Sequence, residues 1–89
     1  MQTDDYFVYV PTLVIEILSD SNRSEKIQRQ RVVAFSGGTR EFWVVDPTAR
    51  TIEVAVPGAM SRIYRENENV PVATLPGVQF PVRILFEKH

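Results

Sequence analysis

One segment constrains this chain more than any other. Thr12-Leu13-Val14-Ile15-Glu16-Ile17-Leu18 is almost continuously apolar, with a single carboxylate set inside it. A short run of this kind is expected of a strand covered on both faces. The polar turn Ser19-Asp20-Ser21-Asn22 follows, rich in residues that cap helices, and Ser21, Asn22 or Ser24 can serve as the N-cap. A helix is predicted from about Arg23 to Phe35, where helical periodicity puts Ile27, Ala34 and Phe35 on one face. Gly37-Gly38 ends it, because glycine takes the left-handed cap conformation cheaply. Glu41-Phe42-Trp43-Val44-Val45-Asp46 is the next strand. The strand-helix-strand unit from Thr12 to Asp46 favours two parallel strands joined by a right-handed crossover.

Around that unit the signals are mostly β. Tyr6 to Val10 forms a short aromatic and β-branched strand before Pro11. Pro47-Thr48-Ala49-Arg50 is turn-like. Thr51 to Val56 alternates polar and apolar, so one of its faces is wet. After Pro57-Gly58, Ser61 to Tyr64 pairs back antiparallel, and Glu66 to Asn69 is a loop. Pro71, Pro76 and Pro81 punctuate the remainder, which leaves Val78 to Phe80 as a short edge strand. Pro81 to Phe86 is predicted as one helical turn that packs Leu85 and Phe86. The expected architecture is α/β, a mixed sheet with one main helix, forming a single unit over 89 residues.

Composition removes whole classes of chemistry. The chain has no cysteine, so disulfides, thiolate metal sites and cysteine nucleophiles are excluded. Its one histidine is His89, the last residue, which sets aside Ser-His-Asp triads and multi-histidine zinc sites. A net charge of −1 lacks the strongly basic signature of many nucleic-acid binders. No apolar run approaches the roughly 20 residues needed to span a bilayer. The polar, acidic start from Met1 to Asp5 is no secretory signal, and a cytoplasmic location is expected.

Glu16 is the first candidate for chemistry. Strand alternation places it on the same face as Val14 and Leu18. An unpaired carboxylate among apolar side chains is costly unless it is paired, protonated or bound to a metal. It is therefore either an edge or arginine-paired glutamate or a Mg²⁺ ligand, since Mg²⁺ takes oxygen donors and often one or two carboxylates. On the helix, Lys26 and Gln30 are four apart and share a side. Arg31 falls between Ile27 and Phe35, where a cation either snorkels to water or meets a buried acid, with Glu16 as a partner. A solvated helix surface is the plainer reading of Lys26, Arg29 and Arg31. Asp46 before Pro47 suits a turn. Phe35, Phe42 and Trp43 sit in apolar runs and belong to the core.

These residues also carry a resemblance. Val10-Pro11-Thr12-Leu13-Val14-Ile15-Glu16-Ile17-Leu18-Ser19 resembles the strand motif of the Uma-type restriction endonuclease family. There, Pro-Asp and a few apolar residues precede a glutamate and Val-Leu-Ser-Pro-Ser. Arg40 to Pro47 is similar to that family's Glu-Tyr-Trp-Leu-Val-Asp-Pro strand. Ala49 to Val54 is similar to the strand after it, and Phe80 to Phe86 to the closing Pro-x-x-x-Leu-Phe. The resemblance implies a PD-(D/E)XK fold and Mg²⁺-dependent hydrolysis of DNA. It makes Glu16 the acidic metal ligand. Leu18 stands where the general motif has lysine, and the family's lysine comes from the following helix, at the position of Gln30. Glutamine carries no charge. Lys26, one turn earlier, and the neighbouring Arg31 are the cations left to reach the same space. The family's Pro-Asp has become Pro11-Thr12, and about ten residues precede the matching strand.

The resemblance thus implies a nuclease domain that is truncated and impaired as an enzyme. Two competing readings are a noncatalytic module that self-associates as a homodimer through an exposed sheet edge, and a DNA-binding remnant that contacts phosphates through Arg23, Lys26, Arg29 and Arg31.

Overall fold

The computed structural model describes residues 10–19 and 24–87. The strand expected over Tyr6 to Val10 and the caps expected at Ser21 and Asn22 lie wholly or largely outside these residues, as do Arg23 and His89. The elements in chain order are β1 (Leu13–Ile17), α1 (Ser24–Gly37), β2 (Glu41–Asp46), β3 (Thr51–Ala55), β4 (Arg62–Arg65), β5 (Asn69–Pro71), β6 (Gln79–Pro81) and a 3-10 turn (Val82–Phe86).

Strands β1 to β4 form one sheet in chain order. β1 and β2 are parallel, as the strand-helix-strand unit requires, with Glu16 beside Val44. β2 to β4 form an antiparallel meander in which Val44 faces Glu53 and Glu53 faces Ile63. Alternation then sends successive side chains to opposite sides of the sheet. On one side Trp43, Val45, Ile52 and Tyr64 pack with Val70, Val72 and Val82 from the β5–β6 ribbon and the 3-10 turn. On the other side Phe42 and Ala55 pack against Ile27 of α1, with Val14, Leu18, Ala34, Phe35 and Val44 around them. Phe35 and Phe42 meet edge to face, ring centroids 6.3 Å apart, a geometry that the ring quadrupoles favour.

The helix stops where glycine allows it to. Gly38 has φ 114°. Its N–H donates to Phe35 O at 3.1 Å, and Thr39 N–H reaches back to Ala34 O at 3.0 Å. These are the two bonds of a Schellman cap, which satisfies carbonyls that the helix end would otherwise leave open. Thr39 Oγ1 then donates to Pro11 O at 2.8 Å, and Arg40 N and Glu41 N both donate to Thr12 O. This knot starts β1 and β2 side by side and so fixes the register of the parallel pair.

Three expectations are corrected. The apolar run of β1 is not covered on both faces: Ile15 and Ile17 are 48% and 59% exposed on the side away from α1. Continuous apolarity does not by itself distinguish a central strand from one whose second face is open. In the 3-10 turn Val82 is fully buried and Phe86 half-buried, while Leu85 is exposed. The expected strand at Val78 to Phe80 is displaced to Gln79–Pro81, and it pairs with a strand the sequence did not announce, Asn69–Pro71.

Candidate active site

Glu16 projects from β1 between Val14 and Leu18, both of which pack toward α1. Its own exposure is intermediate. Among the described residues no hydrogen bond or ion pair holds its carboxylate. The row across the sheet at this level is Glu16, Val44, Glu53, Ile63. Two carboxylates thus share a face with one valine between them, about 10 Å apart at Cα from the ordinary strand spacing. Glu53 Oε2 accepts from Ser61 Oγ at 2.6 Å.

The helix divides its polar side chains between two flanks. Taking Ile27 as facing the sheet, Gln28, Arg31 and Phe35 turn one way, and Lys26, Gln30 and Val33 the other, at about 100° per residue. Arg31 and Gln28 line a cavity of about 160 Å³ with Val44, Asp46, Glu53 and Ile63. Arg31 and Phe35 line a second one against Ala55 and Ser61. Arg31 Nη2 donates to Gln28 Oε1. The Arg31 flank therefore lies over β3, where Arg31 shares a cavity lining with Glu53 and Asp46; Glu16 does not line either cavity. The opposite flank is lined by the helix alone. Lys26, Arg29, Gln30 and Val33 form a shallow groove there. Lys26 is exposed, and Gln30 is half-buried with its Oε1 shut away from water and without a donor.

Asp46 is a turn residue. Its Oδ1 accepts from Thr48 N and Ala49 N, each at 3.0 Å, and its carbonyl accepts from Arg50 N at 2.8 Å. Arg50, at φ 56°, closes that turn and forks onto Glu66 at 2.7 and 2.5 Å, with its guanidinium 5.0 Å from the Phe86 ring centroid. Among the described residues no group of three or more histidine, aspartate or glutamate side chains converges on a metal position.

The carboxylate that sequence reasoning overlooked is Glu41. It is fully buried at the start of β2. Oε2 accepts from Trp43 Nε1 at 2.8 Å and Ala73 N at 3.1 Å; Oε1 accepts from Thr74 N at 3.0 Å and Thr74 Oγ1 at 2.9 Å. Burial pushes its pKa up, but these donors together outweigh burial, and the carboxyl is held below the usual glutamate range. The available signal was the spacing: Glu41 and Trp43 alternate onto one face, so a buried indole and a buried acid can satisfy each other. Glu53 was readable in the same way, as the polar member of an alternating strand.

The family model for Uma2, described as "putative restriction endonuclease", matches residues 2–83. The chain belongs to the Uma2 family. A solved structure of a "putative nuclease belonging to DUF820" from Anabaena variabilis superposes with a TM-score of 0.78 at 26% identity, covering 90% of this chain and 46% of that one. The chain thus spans about half the length of this solved relative, whose title names a nuclease, and it shares the relative's mixed α/β fold. No curated protein matches the chain. No helix among the described residues is long and apolar enough to cross a membrane.

Proposed function

We propose that the chain is a Uma2 nuclease module that hydrolyses DNA phosphodiester bonds with Mg²⁺, with Glu16 at its centre and a low rate set by glutamine at position 30. The observation that carries this reading is the Glu16 carboxylate itself. It projects from the helix-side face of the sheet between apolar neighbours, half-buried and with no partner among the described residues, and so is open to a ligand. The donor present suits a hard cation, since Glu16 offers a carboxylate. Bound there, Mg²⁺ supplies polarisation of the phosphate and a lowered pKa for the attacking water.

The chain's own residues do the rest. Glu16 sets the negative charge that fixes where the reaction occurs. Lys26 and Arg29, exposed on one flank of α1, contact the DNA phosphates and orient the strand. The water oxygen forms the new bond to phosphorus and gives up its proton to solvent, because no lysine stands at position 30 to manage it; the bond to the leaving sugar oxygen breaks, and that oxygen takes a proton from solvent to leave as a hydroxyl. The rate is low for the same reason. This chemistry is that of a cytoplasmic protein. Plasmid nicking should appear with Mg²⁺ and stop when EDTA is added. Nicking that continues undiminished in EDTA contradicts the metal assignment.

The exposed Ile15 and Ile17 favour a second reading, in which this face meets another copy of the chain. Light scattering after size exclusion should then give a dimer that Ile17→Lys dissolves. A monomer at all accessible concentrations ends that reading and leaves the first intact.

A further inference from the structure

We propose that the cavity between α1 and the sheet, the one lined by Arg31 and Glu53, binds a guanine base. The inference does not depend on the reading of Glu16. Place comes first. The lining includes Leu18, just past the end of β1, Asp46 at the end of β2, and Ile27 and Arg31 from α1. The cavity thus lies at the carboxyl ends of the two parallel strands, where open α/β sheets hold their ligands. Its volume of about 160 Å³ is well above the roughly 10–15 Å³ that one water needs, so there is room for a ring.

Chemistry comes second. Ile27 from the helix and Val44 and Ile63 from the sheet give apolar walls. The charged groups are few and of both signs: one guanidinium, Arg31, and the carboxylates of Asp46 and Glu53. The carboxylates repel a phosphate, and the guanidinium repels a metal ion. What suits the lining is a neutral ring that accepts from Arg31 and donates to a carboxylate. Those groups are held yet unspent. Arg31 gives Nη2 to Gln28, and Glu53 takes Ser61 on Oε2, so further N–H groups and Oε1 stay available. Neither residue makes an ion pair among the described residues. Guanine meets both demands. Its O6 and N7 accept from an arginine fork, the commonest specific contact to a base. Its N1–H and 2-amino group present two adjacent donors to a carboxylate. Adenine offers no such pair of adjacent acceptors. Apolar walls against the ring and polar contacts at its edges are how proteins hold a base outside a stack. The second cavity shares Arg31 and leaves space for the attached sugar.

The test titrates the 89-residue chain with guanosine, without metal or DNA, and follows methyl resonances by NMR. Ile27, Val44 and Ile63 should shift and saturate. Adenosine should give no saturable response at the same concentrations, and inosine, which lacks the 2-amino group, should bind more weakly. Arg31→Met and Glu53→Gln should each weaken guanosine binding by about tenfold or more, the scale of a lost bidentate contact to a base edge. Glu53→Gln keeps an oxygen for Ser61, so its loss of binding is read on an intact fold. Competition with a thymidine oligomer carrying one dG assigns the source: displaced guanosine marks a base presented by a strand, and guanosine that stays bound marks a free nucleoside. No response, an equal response to guanosine and adenosine, or binding that both variants leave unchanged overturns the proposal. Mg²⁺-dependent nicking that persists in that case keeps the reading of Glu16, so the two fail separately.

Discussion

Glu41→Ala is expected to remove about 3–5 kcal/mol of stability, since several buried donors lose their acceptor at about 1–3 kcal/mol each. The loss arises from what stays behind. Trp43 Nε1, Ala73 N, Thr74 N and Thr74 Oγ1 all point at the vacated position, and each buried donor left without an acceptor costs free energy that the native bond had cancelled. A domain of this size commands about 5–15 kcal/mol in total, so the variant is close to unfolding at room temperature. Urea denaturation followed through Trp43 fluorescence measures the change. A midpoint within a few tenths molar of the unaltered protein refutes the role assigned to Glu41.

The same residue makes stability depend on pH, and the sign follows from the direction of its shift. Its folded pKa lies below the ordinary value, so the unfolded chain takes up the proton first as pH falls. The contribution is complete above the unfolded pKa of about 4.3, and it is lost as pH drops through the lower folded value. Glu41→Gln should therefore flatten the acid limb of the stability curve below about pH 4.3 and be destabilised throughout the neutral range. An acid limb as steep as that of the unaltered chain would assign the effect to other carboxylates, Glu66 among them, whose pKa Arg50 lowers.

Glu16→Ala should do the reverse: leave the fold standing and remove the chemistry. Cation-assisted charge stabilisation in phosphoryl chemistry is worth several kcal/mol. At about 1.4 kcal/mol per factor of ten, losing the residue proposed to hold the cation should lower the nicking rate on the order of 1000-fold. Stability should be unchanged or slightly raised, because the carboxylate has no partner among the described residues to lose. That separation is the diagnostic, and Glu16→Gln should share it, since shape without charge does not hold the cation. A variant that keeps more than a tenth of the activity, or one that loses activity only in proportion to unfolding, refutes the assignment of Glu16.

Much of the frame was legible because its signals are local. Glu41 to Asp46 carries β-branched and aromatic residues between a glycine pair and a proline, and the strand fills the space that Gly38 and Pro47 leave for it. The helix end at Gly37-Gly38 was readable for the same reason. What was not legible depends on partners distant in sequence. Asn69–Pro71 becomes a strand only because Gln79–Pro81 lies beside it, with both prolines at the ends of the ribbon where a missing N–H does least harm. Val82 rather than Leu85 is buried because of where the β5–β6 ribbon delivers the chain. Around the candidate site, periodicity placed Glu16 on the face of Val14 and Leu18, yet it could not say which flank of α1 Arg31 would choose. That choice depends on the cavity over β3, to which residues from four separate elements contribute.

The sheet keeps its two packed layers on opposite sides, the one with Trp43, Ile52 and Val82 below and the one with Ile27 and Phe42 above. Glu16 and Gln30 belong to the upper layer, whereas Glu41 anchors the lower. Selection can thus relax on one layer while the other keeps the protein folded. Substitutions around Trp43 should therefore cost stability without touching the face that carries Glu16.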